Sequence, residues 1–207
     1  MRVVVKLGGS LLDLPDLTPR LSAFLDTLRP ARMLLVVGGG RAADRIRALD
    51  RRGELSGDEA HWRAIAAMSS NARTVADELG APGLSSHVEI ARDLTSPVVL
   101  DVFALLREDE RDGGAPLPRG WSVTGDTIAA RLAHRFGATK VILLKSCDLP
   151  AVATLADATE RGVIDARFAE WVDALPVTLI NFRREPPAVC CRWPPGQAQV
   201  GALDALR

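Results

Sequence analysis

Two apolar runs that each end in glycines constrain the fold of this chain more than any other feature. Residues 3–12 read VVVKLGGSLL, and residues 33–47 read MLLVVGGGRAADRIR. The aliphatic and β-branched residues favour a strand, and the glycines favour a tight turn in which the backbone can approach another group closely. Strands that are apolar throughout are typical of a parallel sheet with helices on both faces. The two runs therefore predict such a sheet, with glycine turns at its strand ends.

The rest of the chain continues this alternation of strands and helices. Helical stripes are predicted after Thr18-Pro19, after SGDE (residues 56–59), after VTGD (residues 123–126) and after Asp165, and residues 107–120 are predicted to be an exposed loop. The pattern indicates an α/β protein, a three-layer α/β/α sandwich around a mainly parallel sheet, formed as one domain by residues 1–207. The predicted strands are Arg2–Leu7, Met33–Val37, Val98–Asp101, Lys140–Leu144, Val177–Asn181 and Ala188–Trp193.

Composition excludes several classes of function. Lys+Arg and Asp+Glu both number 26, which argues against a broad basic surface for nucleic acid. No apolar run reaches the ~18 residues of a membrane span, and the first residues do not read as a secretory signal, so we expect a cytoplasmic protein with no membrane partner. The three histidines are too scattered in sequence to predict a metal site.

The residues at the ends of the first two strands favour phosphate binding. Ligands of α/β sheets gather at the carboxyl ends of parallel strands, where Gly8-Gly9-Ser10 and Gly38-Gly39-Gly40 would lie, with Arg41 opening the next helix. Lys6, near the end of a buried strand, costs desolvation free energy unless an anion meets it. For either turn alone, a tight turn without a ligand explains the glycines equally well. The dinucleotide fingerprint is not completed, because no acidic strand end follows about 20 residues later.

Two further positions add to this chemistry. Asp126 lies at a helix start, where a capping role is the simpler alternative. Lys145 ends another apolar strand and is followed by Ser146 and Asp148. Two strand-end lysines and a helix-start aspartate suit phosphoryl transfer, because that reaction needs positive charge around the phosphoryl oxygens and little covalent work by the protein.

The order of these motifs resembles the amino acid kinase superfamily. VKLGGS, LLVVGGG, VTGDTIAARLA and VILLKSCD follow one another as they do in that family. The short length and the segments SGDEAHWRAIAAM and LPRGWSVTGDTIAARLA are most similar to its small branch that phosphorylates an aminomethylfuranmethyl phosphate in the synthesis of methanofuran-type cofactors.

The resemblance implies a role for each motif. Lys6 and Asp126 would be catalytic, with Lys6 beside the transferred phosphoryl group and Asp126 orienting the lysine and the magnesium-bound phosphates. The phosphate and nucleotide would be bound by Gly8, Gly9, Ser10, Lys145, Ser146, Asp148 and Asp165. The acceptor would be bound by Gly38, Gly39, Gly40 and Arg41.

The chain also departs from the superfamily pattern. Many members have a second catalytic lysine in the late nucleotide loop, where RGVIDARF (residues 161–168) has none; Asp165 there matches the small branch. Gly125 stands where that branch more often has serine. The segment LLKSCDLP lacks the usual valine-aspartate-glycine turn.

Two functions from different classes follow. The first is an ATP- and Mg²⁺-dependent kinase for a small phosphomonoester in one-carbon cofactor biosynthesis, assembled as a homodimer or larger homo-oligomer. The second is a non-catalytic ligand-binding homologue that acts as a sensor or accessory subunit. The retained Lys6, Asp126 and Lys145 favour the first.

Overall fold

The structure, a computed structural model, describes residues 1–81, 84–113, 117–151, 153–172 and 175–194. Its strands are β1 (Arg2–Leu7), β2 (Arg32–Val37), β3 (Leu84–Ser85), β4 (Val98–Leu100), β5 (Lys140–Lys145), β6 (Val177–Asn181) and β7 (Ala188–Trp193). Its α-helices are α1 (Leu17–Thr27), α2 (Gly40–Arg51), α3 (Gly57–Glu78), α4 (Val102–Arg111), α5 (Gly125–Phe136) and α6 (Leu155–Glu160). Short 3₁₀ helices cover Gly9–Leu11, Val88–Arg92 and Phe168–Trp171.

The seven strands form one sheet in the order β3-β4-β2-β1-β5-β6-β7. All neighbouring pairs are parallel except β6 and β7, which are antiparallel. Strand β1 is central and pairs with β2 on one side and β5 on the other. The carboxyl ends of β1, β2 and β5 therefore meet at one edge of the sheet, which brings the predicted motifs together.

Alternation along the strands sends their side chains into two separate cores. Val4 belongs to the core that also contains Ile128 and Leu132 of α5. Val3 and Val5 belong to the opposite core, which contains Leu21 of α1. Because side chains alternate with a period of two, Lys6 shares the α5 face with Val4. By the same rule, Lys145 shares that face with Leu143 of β5. The α/β class and the helices on both faces of a mainly parallel sheet are as predicted.

Some local predictions are wrong. The predicted loop at residues 107–120 begins inside a helix, because α4 continues to Arg111; residues 114–116 lie outside the described part of the chain. The helix predicted after Asp165 is a 3₁₀ helix at Phe168–Trp171. A stripe of apolar residues three and four apart fits either geometry, so periodicity alone does not separate them. Within the described residues, no helix is long and apolar enough to cross a membrane.

Candidate active site

One buried carboxylate joins the two strand-end lysines. Asp126, in the first turn of α5, places Oδ1 2.9 Å from Nζ of Lys6 and Oδ2 2.6 Å from Nζ of Lys145. Asp126 is 2% exposed and Lys6 is 6% exposed. Lys6 comes from the end of β1 and Lys145 from the end of β5, so three elements converge on one ion cluster. The sequence predicts both lysines at strand ends, but it does not reveal that a single aspartate pairs with both.

Lysine is rare in this chain, which makes the two lysines of the cluster more notable. Of the 26 basic residues only Lys6, Lys140 and Lys145 are lysines, and the others are arginines. Two of the three lysines therefore lie in this cluster. An ammonium group is compact and has three donors, whereas a guanidinium is a broad planar fork. Lysine is therefore the better suited of the two residues where two cations share one buried carboxylate.

Burial and the pairing of opposite charges shift the pKa values of the clustered groups in opposite directions. Burial alone would raise the pKa of Asp126, but Lys145 and Lys6 lower that pKa to about 2. Burial alone would lower the pKa of Lys6, yet Asp126 raises it above the ordinary lysine value. For Lys145, burial and the charge of Lys6 outweigh the pairing with Asp126, so its pKa is lowered. The carboxylate is therefore ionised at neutral pH, and Lys145 loses its proton more readily than Lys6.

A second aspartate holds the start of α5. Oδ2 of Asp165 accepts hydrogen bonds from the backbone N–H groups of Thr124 at 2.9 Å, Asp126 at 3.1 Å and Thr127 at 2.9 Å. The hydroxyl of Thr124 donates to its Oδ1. The family resemblance predicts Asp165 among the phosphate- and nucleotide-binding residues. In the structure its carboxylate lies on the N-terminus of α5.

The two glycine turns pack directly against each other. A Cβ on Gly9 would lie 2.2 Å from the backbone nitrogen of Gly40, and one on Gly38 would lie 2.6 Å from that of Gly9. Gly40 also has a φ of +54°, a left-handed conformation that favours glycine. Close backbone packing thus requires glycine here whether or not a ligand binds. Gly8 points toward β5, where its N–H donates to the carbonyl of Leu144 at 2.8 Å.

A cleft of about 240 Å³ opens beside this cluster. Its floor contains Lys6 and the turn residues Gly9, Ser10 and Gly38–Gly40. Its far wall contains residues of α2, α3, the segment before α5 and the start of α5. These wall residues are Ala43, Asp44, Arg47, His61, Ala64, Ile65, Met68, Gly120, Trp121, Val123, Thr124, Gly125 and Ile128.

Arg47 and Trp121 belong to this wall, and sequence reasoning does not assign either residue to binding. The guanidinium of Arg47 lies 4.5 Å from the centre of the Trp121 ring and 3.6 Å from the carboxylate of Asp44. The indole N–H of Trp121 donates to Asp50 at 2.7 Å. Nδ1 of His61 accepts from the backbone N–H of Gly120 at 3.4 Å. Since α2 contains no buried residue, no apolar stripe marks its cleft side in the sequence.

The remaining predicted residues lie around the cluster. Among the described residues, the cleft lining does not include Arg41, whose guanidinium lies 3.7 Å from the carboxylate of Asp13 at the surface. The hydroxyls of Ser10 and Ser146 are 2.7 Å apart, which links the ends of β1 and β5. Asp148 is bound by Arg184 at 2.7 Å and by Asn181 at 2.9 Å. Asp148 thus connects the end of β5 to the β6–β7 turn.

The described residues contain no cluster of three or more His, Cys, Asp or Glu side chains that could hold a metal ion. Mg²⁺ in kinases is held largely by the substrate phosphates, with one or two carboxylates. Both carboxylate oxygens of Asp126 contact lysine ammonium groups, so the substrate phosphates would supply most of the ligands of a Mg²⁺ ion here.

Comparison of the chain with known proteins identifies its family. The model of the amino acid kinase family matches residues 1–154. A search of curated proteins finds no match.

Several solved structures are similar over most of this chain. Uridylate kinase from Archaeoglobus fulgidus is 21% identical, with 93% of this chain and 99% of that chain covered and a TM-score of 0.64. UMP kinase from Bacillus anthracis is 14% identical, with 92% and 94% covered and a TM-score of 0.63. Aspartate kinase from Synechocystis is 15% identical, with 98% and 41% covered and a TM-score of 0.65. At these identities the likeness demonstrates the shared fold.

Proposed function

Because the chain belongs to the amino acid kinase family, we propose that it is an ATP-dependent kinase whose acceptor is a small phosphomonoester. The γ-phosphoryl group of ATP would pass to an oxygen of the acceptor phosphate. The bond between the γ-phosphorus and the β–γ bridging oxygen breaks, and the products are ADP and a diphosphate.

The Lys6–Asp126–Lys145 cluster is the observation that carries this proposal. Its two ammonium groups lie at the carboxyl ends of β1 and β5, where α/β folds bind ligands. A transferring phosphoryl group spreads negative charge over three oxygens, and preorganised cations stabilise that charge. Asp126 fixes both ammonium groups in place before substrate arrives, so little reorganisation accompanies the reaction.

The far wall of the cleft supports a phosphorylated acceptor. Arg47 offers a guanidinium fork, which matches the geometry of a phosphate. We therefore assign the acceptor-binding role to Arg47, which lines the cleft, and not to Arg41, which precedes it in α2. A phosphomonoester is already largely ionised near pH 7, so its attacking oxygen does not need a general base. That fits a cleft in which Nδ1 of His61 already accepts a hydrogen bond from Gly120.

The same wall is compatible with the aminomethylfuranmethyl phosphate acceptor of the small branch. Arg47 would bind the acceptor phosphate, the carboxylate of Asp44 would face an ammonium group, and Trp121 would pack on a flat ring. The cleft volume of about 240 Å³ suits an acceptor of this size. On this basis the proposal extends to a reaction in one-carbon cofactor biosynthesis.

Bound Mg²⁺ would neutralise charge on the ATP phosphates. Asp126 would orient those phosphates indirectly, because it holds the two lysine ammonium groups that would contact them. Ser10 and Ser146 would lie on the nucleotide side. These assignments, including Gly8, Gly9 and Asp148 on the nucleotide side, are part of the proposal.

An assay of ADP release with purified protein, ATP and Mg²⁺ tests the function. The acceptor panel should include aminomethylfuranmethyl phosphate, its unphosphorylated alcohol, UMP and aspartate. We expect turnover with the phosphorylated furan and at least ~10²-fold less with the alcohol, because the alcohol offers Arg47 no phosphate to bind. Absence of turnover with all four, together with calorimetric binding of a phosphomonoester, would instead identify a non-catalytic sensor or accessory subunit. Light scattering on the same sample tests the predicted homo-oligomer.

A further inference from the structure

The first turn of α5 is capped by a residue far away in sequence. Thr124, the N-cap of α5, makes no side-chain capping bond to its own helix. Asp165 supplies the cap instead, from the segment between α6 and the 3₁₀ helix Phe168–Trp171, 38 to 41 residues from its partners. A carboxylate at a helix N-terminus is favoured by the exposed N–H groups and by the helix dipole.

Asp165 also binds the backbone of Asp126, the residue that pairs with both lysines. The backbone N–H of Asp126 donates to Oδ2 of Asp165, and the side chain of the same Asp126 contacts Lys6 and Lys145. A rotation of the first turn of α5 would move the Asp126 carboxylate relative to both ammonium groups. The four bonds to Asp165 oppose that rotation.

The segment that carries Asp165 is also packed against α5. Ile164 and Phe168 flank Asp165, and both are buried in the core that contains Ile128 and Leu132 of α5. The position of the carboxylate is therefore fixed on both sides by apolar side chains. Asp165 therefore lies in a packed contact between α5 and the part of the chain that follows β5.

From this geometry we propose that Asp165 is a positioning residue, which holds the Asp126 carboxylate between Lys6 and Lys145 and adds a second negative charge to the cluster. Its effect on turnover rests on the proposed kinase function. Its effect on the lysines is a property of the protein without substrate. The N-terminal amides of Thr124, Asp126 and Thr127 are engaged by the chain itself, so charge on a transferred phosphoryl group would be met chiefly by the two lysines.

The charge of Asp165 reaches both lysines. Burial lowers the pKa of Lys6 and of Lys145, and Asp126 raises both; Asp165 raises both further. The charged or titratable groups that act on this cluster are Lys6, Asp126, Lys145, Asp165 and the thiol of Cys147, whose own pKa is raised by burial. A residue that served only to cap the helix would not need to influence the lysine ammonium groups.

Asp157 is a matched control for this role. It caps α6 in the same chemical way, accepting bonds from the backbone N–H and the hydroxyl of Thr154 at 2.7 Å. Asp157→Asn and Asp165→Asn therefore make the same chemical change at two helix N-termini. Only the second lies at the cluster.

The lysine side chains themselves provide the readout. Since the chain has only three lysines, NMR spectra of protein labelled with ¹⁵N and ¹³C in lysine contain three Nζ–Cε signals, which Lys140→Arg and Lys145→Arg assign. For Asp165→Asn we expect the titrations of Lys6 and Lys145 to move to lower pH while Lys140 is unchanged. Asp157→Asn should leave all three at the parent positions. Unchanged titrations of Lys6 and Lys145 in Asp165→Asn, or equal shifts in Asp157→Asn, would overturn the electrostatic part of the proposal.

A second variant separates the effect of the position of the Asp165 carboxylate from the effect of its charge. It also provides a test if Asp165→Asn does not fold. Asp165→Glu keeps the charge but moves the carboxylate by one methylene. We expect its lysine titrations to resemble the parent while kcat falls ~10-fold or more with little change in the KM for ATP. Parent kcat in this variant would overturn the positioning role. If the parent shows no kinase activity but the Asp165→Asn titration shift is present, the proposed function fails and the inference about the lysines stands.

Discussion

The Nζ atom of Lys145 lies 2.6 Å from Oδ2 of Asp126, so the end of β5 and the first turn of α5 share one buried ion pair. The second oxygen of the same carboxylate serves Lys6 of β1. Two like charges are thus held close together by one opposite charge. An arrangement of this kind is costly to bury, and it becomes useful when an anion with several oxygens enters between the cations.

Replacing Lys6 by methionine should remove turnover without unfolding the protein. Asp126 keeps Lys145 as a partner, so no buried charge is left alone, whereas the phosphoryl group loses one of its two cations. We expect kcat to fall by ~10²–10³-fold, measured by coupled ADP release. Lys140→Met, at the opposite end of β5, is the control and should retain parent turnover. Near-parent turnover in Lys6→Met would make Lys6 a structural residue.

The substitution Asp126→Asn should cost both activity and stability. Two buried ammonium groups would lose their only shared carboxylate, so we expect the free energy of unfolding to fall by roughly 3 kcal/mol and kcat by at least ~10²-fold. Adding Lys145→Met should recover part of the stability but none of the activity. Urea unfolding followed by tryptophan fluorescence measures this cycle. Parent stability in the single variant would mean that the cluster does not hold two protonated lysines.

Acid should weaken the fold through the same carboxylate. The pKa of Asp126 is lowered from 3.8 to about 2 in the folded protein. A lowered pKa contributes stability that is complete above the unfolded value and is lost as the pH falls through the folded value. The contribution is about 2 kcal/mol, and it should disappear between about pH 4 and pH 2. Urea midpoints measured across that window should fall less steeply in Asp126→Asn than in the parent; equal slopes would argue against the assignment.

Gly9 should tolerate no side chain. The Cβ of Gly9→Ala would lie 2.2 Å from the backbone nitrogen of Gly40, which cannot move aside as a flexible side chain can. We expect a loss of about 3 kcal/mol in the free energy of unfolding. Gly57→Ala is the control, because nothing lies within 4 Å of the position that its Cβ would take, and alanine is the better helix former at the start of α3. Similar stabilities for the two variants would disprove the close packing of the turns.

Arg47 should discriminate for the phosphorylated acceptor. In Arg47→Met we expect the KM for the phosphomonoester to rise by ~10–100-fold, because a charged hydrogen bond is lost, with a smaller change in the KM for ATP. Arg41→Met removes the same charge from the same helix but outside the cleft lining, so its acceptor KM should stay at the parent value. A larger effect at Arg41 than at Arg47 would restore the assignment made from sequence.

The sheet and the lysine positions could be predicted because they depend on local patterns. Largely apolar runs locate β1, β2, β4, β5, β6 and β7 to within one residue, and the period of two along a strand places Lys6 on the face of Val4. The partnership of Lys6 and Lys145 through Asp126 could not be predicted in this way. It depends on the docking of α5 and on the register that pairs Lys6 with Leu143, which are long-range properties.

The cleft wall was harder still to predict. Arg47 lies on a helix without buried residues, so no hydrophobic stripe in the sequence indicates which side of the helix faces the cleft. From the sequence alone, Arg41 is an equally good candidate for binding the acceptor. Trp121 and His61 could belong to either the core or a pocket, because a single aromatic residue fits both. The cap formed by Asp165 joins residues about 40 positions apart, and no local signal links a helix start to a carboxylate at that distance.

The central position of β1 also sets the order in which this chain can assemble. Val3 pairs with Lys140 in the register of β1 and β5, so one edge of the first strand stays without a partner until the chain has grown far beyond it. Contacts so distant in sequence slow folding, and an unpaired apolar strand edge invites association with other chains. A nascent or refolding molecule would therefore expose that strand edge until β5 docks. Docking of β5 also brings Lys145 to Lys6, and Asp165 follows β5 in the chain, so the ion cluster and its cap can form only after most of the chain is present.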